Sequence, residues 1–228
     1  MFVTFEGIDG AGKSTALHQV DAALRLCGVP TLRTREPGGC RLGERLRAIL
    51  LEPHTGRLAE RAELHLFLAD RAQHVAEVIT PALNAGKIVL CDRFTDSTLA
   101  YQGFARGLDV PNLRRLNDMA TGGLAPDVTL LFNLPVSEGL SRIAGRRALH
   151  EEALSEGRFD AESLAFHDRV RQGYLTLAAE EPERFMIVDA ALPREEVATR
   201  CLQAVANALR RLGRAAPKLG AYLEGRGC

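Results

Sequence analysis

Lysine is nearly missing from this chain. Of its 29 Lys and Arg residues only Lys13, Lys87 and Lys218 are lysine, leaving 26 arginines. A lysine at a motif is therefore conspicuous, whereas any single arginine is weak evidence of a site. Net charge is missing too, since 29 Asp and Glu balance the basic residues, which excludes the broad basic footprint of a nucleic-acid binder. No apolar run approaches the roughly 18 residues a membrane span needs. The N-terminus lacks a basic region followed by an apolar one, and a strand pattern starting at residue 2 leaves no room for a cleaved leader. The five cysteines (Cys27, Cys40, Cys91, Cys201, Cys228) include no C-x-x-C pair. They read as free thiols of a reducing cytosol, three of them as core fillers. The six histidines show no metal-ligand spacing, His150-Glu151-Glu152-Ala153-Leu154 being no H-E-x-x-H, and read as surface or capping residues.

What is present is a complete G-x-x-x-x-G-K-[ST] pattern: Gly7-Ile8-Asp9-Gly10-Ala11-Gly12-Lys13-Ser14, followed by Thr15. Its glycines let the backbone curl so that successive N–H groups face phosphate oxygens. Lys13, a loop cation expected to be solvated, reaches the outer phosphates, and the Ser14 hydroxyl is placed to ligate Mg²⁺. The β-branched and aromatic run Phe2-Val3-Thr4-Phe5 precedes it. Leu17, Val20, Ala23, Leu24 and Cys27 follow at helical spacing. Strand, glycine loop and helix together seat a nucleoside triphosphate at a helix N-terminus.

Strand-like runs recur at 2–6, 31–35, 87–92, 127–133 and 185–189. Between them lie helical patterns at 13–27, 42–51, 59–85, 111–121, 136–146, 161–181 and 194–212. This alternation predicts an α/β fold with a parallel sheet covered by helices on both faces. Ligands of such sheets bind at the strands' carboxyl ends, which directs attention to the residues after each run. Residues 147–160 are polar and flanked by Gly145 and Gly157, the pattern of a lid. After about 213 the chain turns Gly/Pro-rich and basic, and reads as a frayed tail.

Four clusters carry possible chemistry. Asp92-Arg93 follows the third strand, where a carboxylate can hold a metal through water and an arginine can clamp a second phosphate; an ordinary strand-end ion pair is the alternative. Arg35-Glu36-Pro37-Gly38-Gly39 is a turn in which Pro keeps Glu36 extended and two glycines allow close approach, although a surface turn looks the same. Phe67 and Arg71, at i and i+4 of a long helix, can bed a nucleobase, yet Leu64, Phe67 and Leu68 also form a plain core stripe. Arg142, Arg146, Arg147 and Arg158 cluster on and beside the lid, where phosphoryl transfer needs cations; a solvated basic surface is the competing reading.

Taken together these segments resemble thymidylate kinase, in its bacterial form. The resemblance rests on the phosphate loop, Arg35-Glu36-Pro37-Gly38-Gly39, Phe67-x-x-x-Arg71, Asp92-Arg93-Phe94 and Ser97-Thr98-Leu99-Ala100-Tyr101-Gln102-Gly103, and spans residues 1 to about 210. It implies transfer of phosphate from ATP to dTMP with Mg²⁺ on Ser14 and Asp92, a five-stranded parallel sheet in a three-layer fold, and a cytoplasmic homodimer packed through long helices. One kinase domain would cover 1–212. By the same resemblance Arg35 and Arg93 hold the dTMP phosphate and Phe67 stacks on thymine. Arg71, Thr98 and Gln102 address the base's polar edge, with Ser97 beside them. Pro37 lies near the methyl, Tyr101 crowds a 2′-hydroxyl, and Asp9 lies near the sugar or acceptor phosphate. Arg142 and Arg146 join the ATP site. The loop has no arginine of its own, so the transition-state arginine falls to the lid, at Arg158. The rivals are a deoxynucleoside kinase acting on a sugar hydroxyl and a nucleotide-dependent switch. The first needs a carboxylate base rather than two arginines. The second lacks an Asn-Lys-x-Asp motif and a second domain to drive.

Overall fold

The computed structural model describes residues 1–52, 58–149, 157–160, 162–214 and 216–225. Five parallel strands form one sheet in the order β2-β3-β1-β4-β5. They are β1 (Phe2–Gly7), β2 (Thr31–Arg35), β3 (Ile88–Asp92), β4 (Val128–Asn133) and β5 (Phe185–Asp189). All five lie within about a residue of the expected runs. The three inner strands are buried nearly end to end, whereas the edge strands β2 and β5 expose several positions, the difference expected when helices cover both faces of a parallel sheet.

Register carries the fold into the site. Phe5 pairs with Asp92 and Gly7 with Phe132, while Arg35 pairs with Asp92 on the other side of β3. The phosphate loop, Arg35 and Asp92-Arg93 therefore emerge side by side at one edge. Beneath them Phe5 stacks on Phe132 with centroids 6.0 Å apart, and each such buried ring contributes on the order of 1.5–3 kcal/mol.

The helices follow the predicted pattern with three departures. The long helix expected over 59–85 is divided into α3 (Glu60–His74), a wider π-helical stretch (Val75–Ile79) and α4 (Thr80–Asn84), with Pro81 in the first turn of α4. The segment after β3, where no helical pattern was read, is helical: α5 (Thr95–Thr98) runs into a π-helical turn (Leu99–Ala105). Where the sequence suggested a frayed tail, α11 (Pro217–Leu223) folds with Leu219 buried. The remaining helices are α1 (Lys13–Leu26), α2 (Arg41–Leu51), α6 (Val110–Thr121), α7 (Val136–Leu149), α8 (Gly157–Asp160), α9 (Leu164–Glu180) and α10 (Arg194–Arg211).

Two smaller expectations are corrected. Cys27 is disulfide-bonded, while Cys40, Cys91 and Cys201 are free and buried. His74 and His167 lie in the interior rather than at the surface. Among the described residues no helix is long and apolar enough to cross a membrane.

Candidate active site

The phosphate loop joins β1 to α1 through three glycines with positive φ, at 136° (Gly7), 78° (Gly10) and 88° (Gly12). Gly10 also meets α7 backbone to backbone. A Cβ on Gly10 would lie 2.2 Å from the Gly139 carbonyl oxygen, and a Cβ on Gly139 would lie 2.7 Å from that of Asp9. Neither position has room for a side chain, so the loop is clamped from behind. Lys13 is not solvated, contrary to expectation. It is buried, donates to the carbonyls of Gly7 (3.1 Å) and Ile8 (2.9 Å), and has its pKa lowered by burial and then by Arg93. Ala11 is buried beside it.

Among the described residues three large cavities border this loop. One of about 690 Å³ is lined by Asp9, Gly10, Gly12, Lys13, Ser14, Thr15, Arg35, Asp92 and Arg93. A second, of about 1090 Å³, lies beyond Ala11, Gly12, Thr15, Gln19 and Arg142, reaching Ala190 and Leu192. The third, about 580 Å³ and more apolar, is bounded by Asp9, Pro37, Phe67, Arg71, Arg93, Ser97, Thr98, Tyr101 and Gln102. Asp9 and Arg93 belong to both the first and the third. Every substrate-binding residue expected from the sequence except Arg35 borders the apolar cavity, and Arg35 borders its neighbour.

Arg93 is the joint. It is a non-glycine residue at φ 68°, a left-handed conformation costing on the order of 1–3 kcal/mol. Its backbone N–H donates to Phe5 O (3.0 Å). Its guanidinium pairs with Asp9 and donates to Gly7 O (3.1 Å), Ser97 Oγ (3.3 Å), Tyr101 Oη (3.1 Å) and Tyr174 Oη (3.3 Å). Burial opposes charge on both members of the pair, but Asp9 raises the pKa of Arg93. Arg93 and then Lys13 hold the Asp9 carboxyl well below its usual range. Tyr101 Oη also donates to Asp9 (3.0 Å). Beneath them Glu6 accepts from Phe94 N (2.7 Å), Ser97 (2.6 Å) and Tyr174 (2.8 Å), and burial followed by Asp96 pushes it up to about 7.

Arg71 is buried and held by four hydrogen bonds. Nε donates to Glu36 (2.8 Å), Nη1 to Thr98 Oγ1 (2.8 Å) and Asn117 Oδ1 (2.7 Å), and Nη2 to Phe94 O (3.0 Å). Of its five N–H groups, one on Nη2 has no partner among the described residues. Glu36, just before a cis bond to Pro37, is held from its other oxygen by His74 (3.0 Å). Sequence reasoning missed Asn117 and His74, which carry no motif of their own. Gln102 is committed to Glu63 (2.8 Å).

Ser14 Oγ donates to Asp92 Oδ2 at 2.6 Å. A hydroxyl and a carboxylate at the triphosphate loop are hard oxygen donors that suit Mg²⁺, which takes few protein ligands and completes its shell with phosphates and water. Among the described residues there is no cluster of three or more His, Cys, Asp or Glu side chains that makes an all-protein cage.

The lid is the exception to this convergence. Arg158 donates to Leu50 O (2.6 Å) and pairs with Glu63 (2.8 Å), and it borders none of the three cavities. Arg142 does border the large one, tied to Ala190 O (3.1 Å) and Glu138 (2.6 Å). Residues 150–156 of the expected lid, and the side chains of Arg146 and Arg147, lie outside the described residues.

A five-stranded parallel sheet, a glycine loop clamped onto a helix N-terminus and a second cavity sharing an Asp–Arg pair with it define a phosphate-loop nucleotide kinase. The profile described as thymidylate kinase matches residues 5–201. A thymidylate kinase of Desulfovibrio desulfuricans is 62% identical over 94% of this chain and 99% of its own length. One of Solidesulfovibrio magneticus is 57% identical over 87% and 95%. The crystal structure of thymidylate kinase from Ehrlichia chaffeensis superposes with a TM-score of 0.70 at 32% identity, covering 90% of this chain and 98% of that one. The chain belongs to the thymidylate kinase family.

Proposed function

We propose that the loop cavity and the large cavity beyond it form the ATP site, that the apolar cavity takes dTMP, and that phosphate passes between them to give ADP and dTDP. The observation that carries this reading is the Asp9–Arg93 pair standing on the boundary of both cavities. A guanidinium there reaches an acceptor phosphate entering from one side while the loop holds the donor on the other. Positioning of this kind accounts for much of phosphoryl-transfer catalysis.

In this reading the backbone from Gly7 to Thr15 and Lys13 hold the donor phosphates, with Lys13 exchanging two loop carbonyls for phosphate oxygens. Arg142 and Arg146 flank the nucleoside of ATP. Arg35 and Arg93 hold the acceptor phosphate. Phe67 stacks on thymine, Arg71, Thr98 and Gln102 face its polar edge, Pro37 faces the methyl, and Tyr101 denies space to a 2′-hydroxyl. Ser14 and Asp92 would hold Mg²⁺, whose charge there stabilises the negative charge developing on the phosphates. Arg158 leaves Glu63 and Leu50 and moves to the transferring phosphoryl group. One kinase domain over residues 1–212, a homodimer packed through long helices and a cytoplasmic setting complete the proposal; light scattering on the purified protein tests the dimer.

The deciding assay runs dTMP and thymidine side by side with ATP and no other partner. Multiple turnovers on dTMP and none on thymidine are expected. Turnover of thymidine would put a hydroxyl, not a phosphate, between Arg35 and Arg93, and a requirement for a partner would favour a switch.

A further inference from the structure

Arg71 borders the apolar cavity, one of its Nη2 hydrogens has no partner among the described residues, and its orientation is set from behind. Asn117, on α6, is buried and does not border that cavity. Its Oδ1 accepts from Arg71 Nη1 at 2.7 Å, while its Nδ2 donates to Thr95 O at 3.3 Å. The second bond fixes the first: with the amide turned over, an NH₂ group would face a guanidinium, donor against donor, and an oxygen would face a carbonyl. The amide therefore has one workable orientation, and in it the second Nη1 hydrogen is consumed. Thr98 takes the other Nη1 hydrogen, Glu36 takes Nε–H and Phe94 O takes one hydrogen of Nη2. Four bonds in fixed directions set the plane of the fork, which leaves the last Nη2 hydrogen as the donor a ligand can meet.

We infer that Asn117 is a positioning residue for base selection: it acts through Arg71, holding one guanidinium N–H where a carbonyl oxygen on the acceptor base is accepted and an exocyclic amine is refused. The inference rests on reading the apolar cavity as the acceptor site. Without an acceptor at Nη1 the guanidinium turns to find one, and the remaining N–H no longer has one direction. A carbonyl loses a bond it had, and an amine loses the donor that opposed it. Discrimination falls because both effects act in the same sense.

The test compares kcat/KM for dTMP and dCMP at saturating ATP in the parent, Asn117→Leu (same number and branching of heavy atoms, no acceptor) and Asn117→Asp (acceptor kept, the bond to Thr95 lost). We expect Asn117→Leu to lower the dTMP:dCMP ratio at least about tenfold with the KM for ATP within twofold, and Asn117→Asp to keep the ratio within about threefold. If Asn117→Leu melts lower but keeps the parent ratio, Asn117 only fills space and the inference is overturned. Equal loss of the ratio in both variants overturns it as well, since the bond to Thr95 would then carry the effect. Should the Leu variant not fold, Asn117→Ser, whose hydroxyl is too short to reach Nη1, takes its place with the same expectations. A parent ratio near one is a different result: it removes Arg71 from base reading, and with it the acceptor assignment, before any variant is measured.

Discussion

The phosphate loop and the acceptor cavity sit a few residues apart in space and are built in opposite ways. The loop comes from one stretch of nine residues, shaped by glycine φ angles and a clamp from Gly139. The acceptor cavity is gathered from the loop, the turn after β2, α2, α3, the segment after β3 and Phe159 of α8. Its chemistry lies in bonds between residues dozens of positions apart. The loop is a local object and tolerates little; the cavity is a network in which each residue acts through others. Single substitutions should therefore act bluntly in the loop and selectively in the cavity.

The largest effect is expected at the loop. Lys13→Ala should lower turnover by about a thousandfold or more, since the transferring phosphoryl group loses its nearest cation, while circular dichroism shows the fold retained. Near-normal activity in a folded variant would break the comparison at its stronger end. Next comes Arg158→Ala, expected to lose at least about a hundredfold in kcat with little change in KM, because a cation that arrives at the transition state acts there. Arg158→Lys should recover only part, a point charge being no substitute for a planar fork. If Arg146→Ala or Arg147→Ala abolished activity while Arg158→Ala did not, the lid would stand and the residue would change. If all three variants were active, the lid argument itself would go.

The cavity should respond in ratios rather than in rates. A single methyl separates dTMP from dUMP, so a preference of about ten- to two-hundredfold in kcat/KM is expected, and dCMP should be refused more strongly. Tyr101→Ala should raise use of a ribonucleoside monophosphate relative to its deoxy form by about tenfold; an unchanged ratio would remove Tyr101 from sugar selection.

The smallest effect concerns Asp70, beneath the turn after β2. Its Oδ1 accepts from Gly38 N (3.1 Å), its Oδ2 has no partner among the described residues, and burial followed by Glu36 pushes its pKa up to about 7. An unfolded aspartate ionises near 3.9. Between those values the folded state binds more protons, so this contribution is fully present below about pH 4 and is lost as pH rises through about 7. Asp70→Asn, which cannot ionise, should raise Tm at pH 8 by about 2–4 °C, the shift expected for about 1 kcal/mol in a chain of this size. It should also narrow the gap in Tm between pH 5 and pH 8. An unchanged gap would show that Asp70 does not titrate there.

Legibility in the sequence follows the same division. The three inner strands were readable because inner parallel strands are continuous apolar runs, the two edge strands because they recur between helical patterns, and the loop because its chemistry is contiguous. Phe67 and Arg71 were visible as an i, i+4 pair but not separable from a core stripe, and Arg71 turns out to be both, buried like core and bonded like a site. Asn117, His74 and Glu63 were invisible, since each acts by a long-range bond that leaves no spacing to count. The helix over 59–85 read as continuous because hydrophobic periodicity does not register a π-helical insertion. Lys13 read as solvated because the spacing of the motif says nothing of the two carbonyls that hold it. The position of Arg158 against Glu63 lies beyond any pattern, for it depends on how α8 packs on α2 and α3.

The central claim is that two nucleotides meet across Asp9 and Arg93, and a crystal structure with dTMP and a non-hydrolysable ATP analogue tests it most directly. The account predicts the triphosphate on the Gly7–Thr15 backbone, the dTMP phosphate between Arg35 and Arg93, and thymine against Phe67 with its C4 carbonyl on Arg71. A dTMP molecule bound elsewhere, or lying in the cavity with its phosphate away from Arg93, would contradict it.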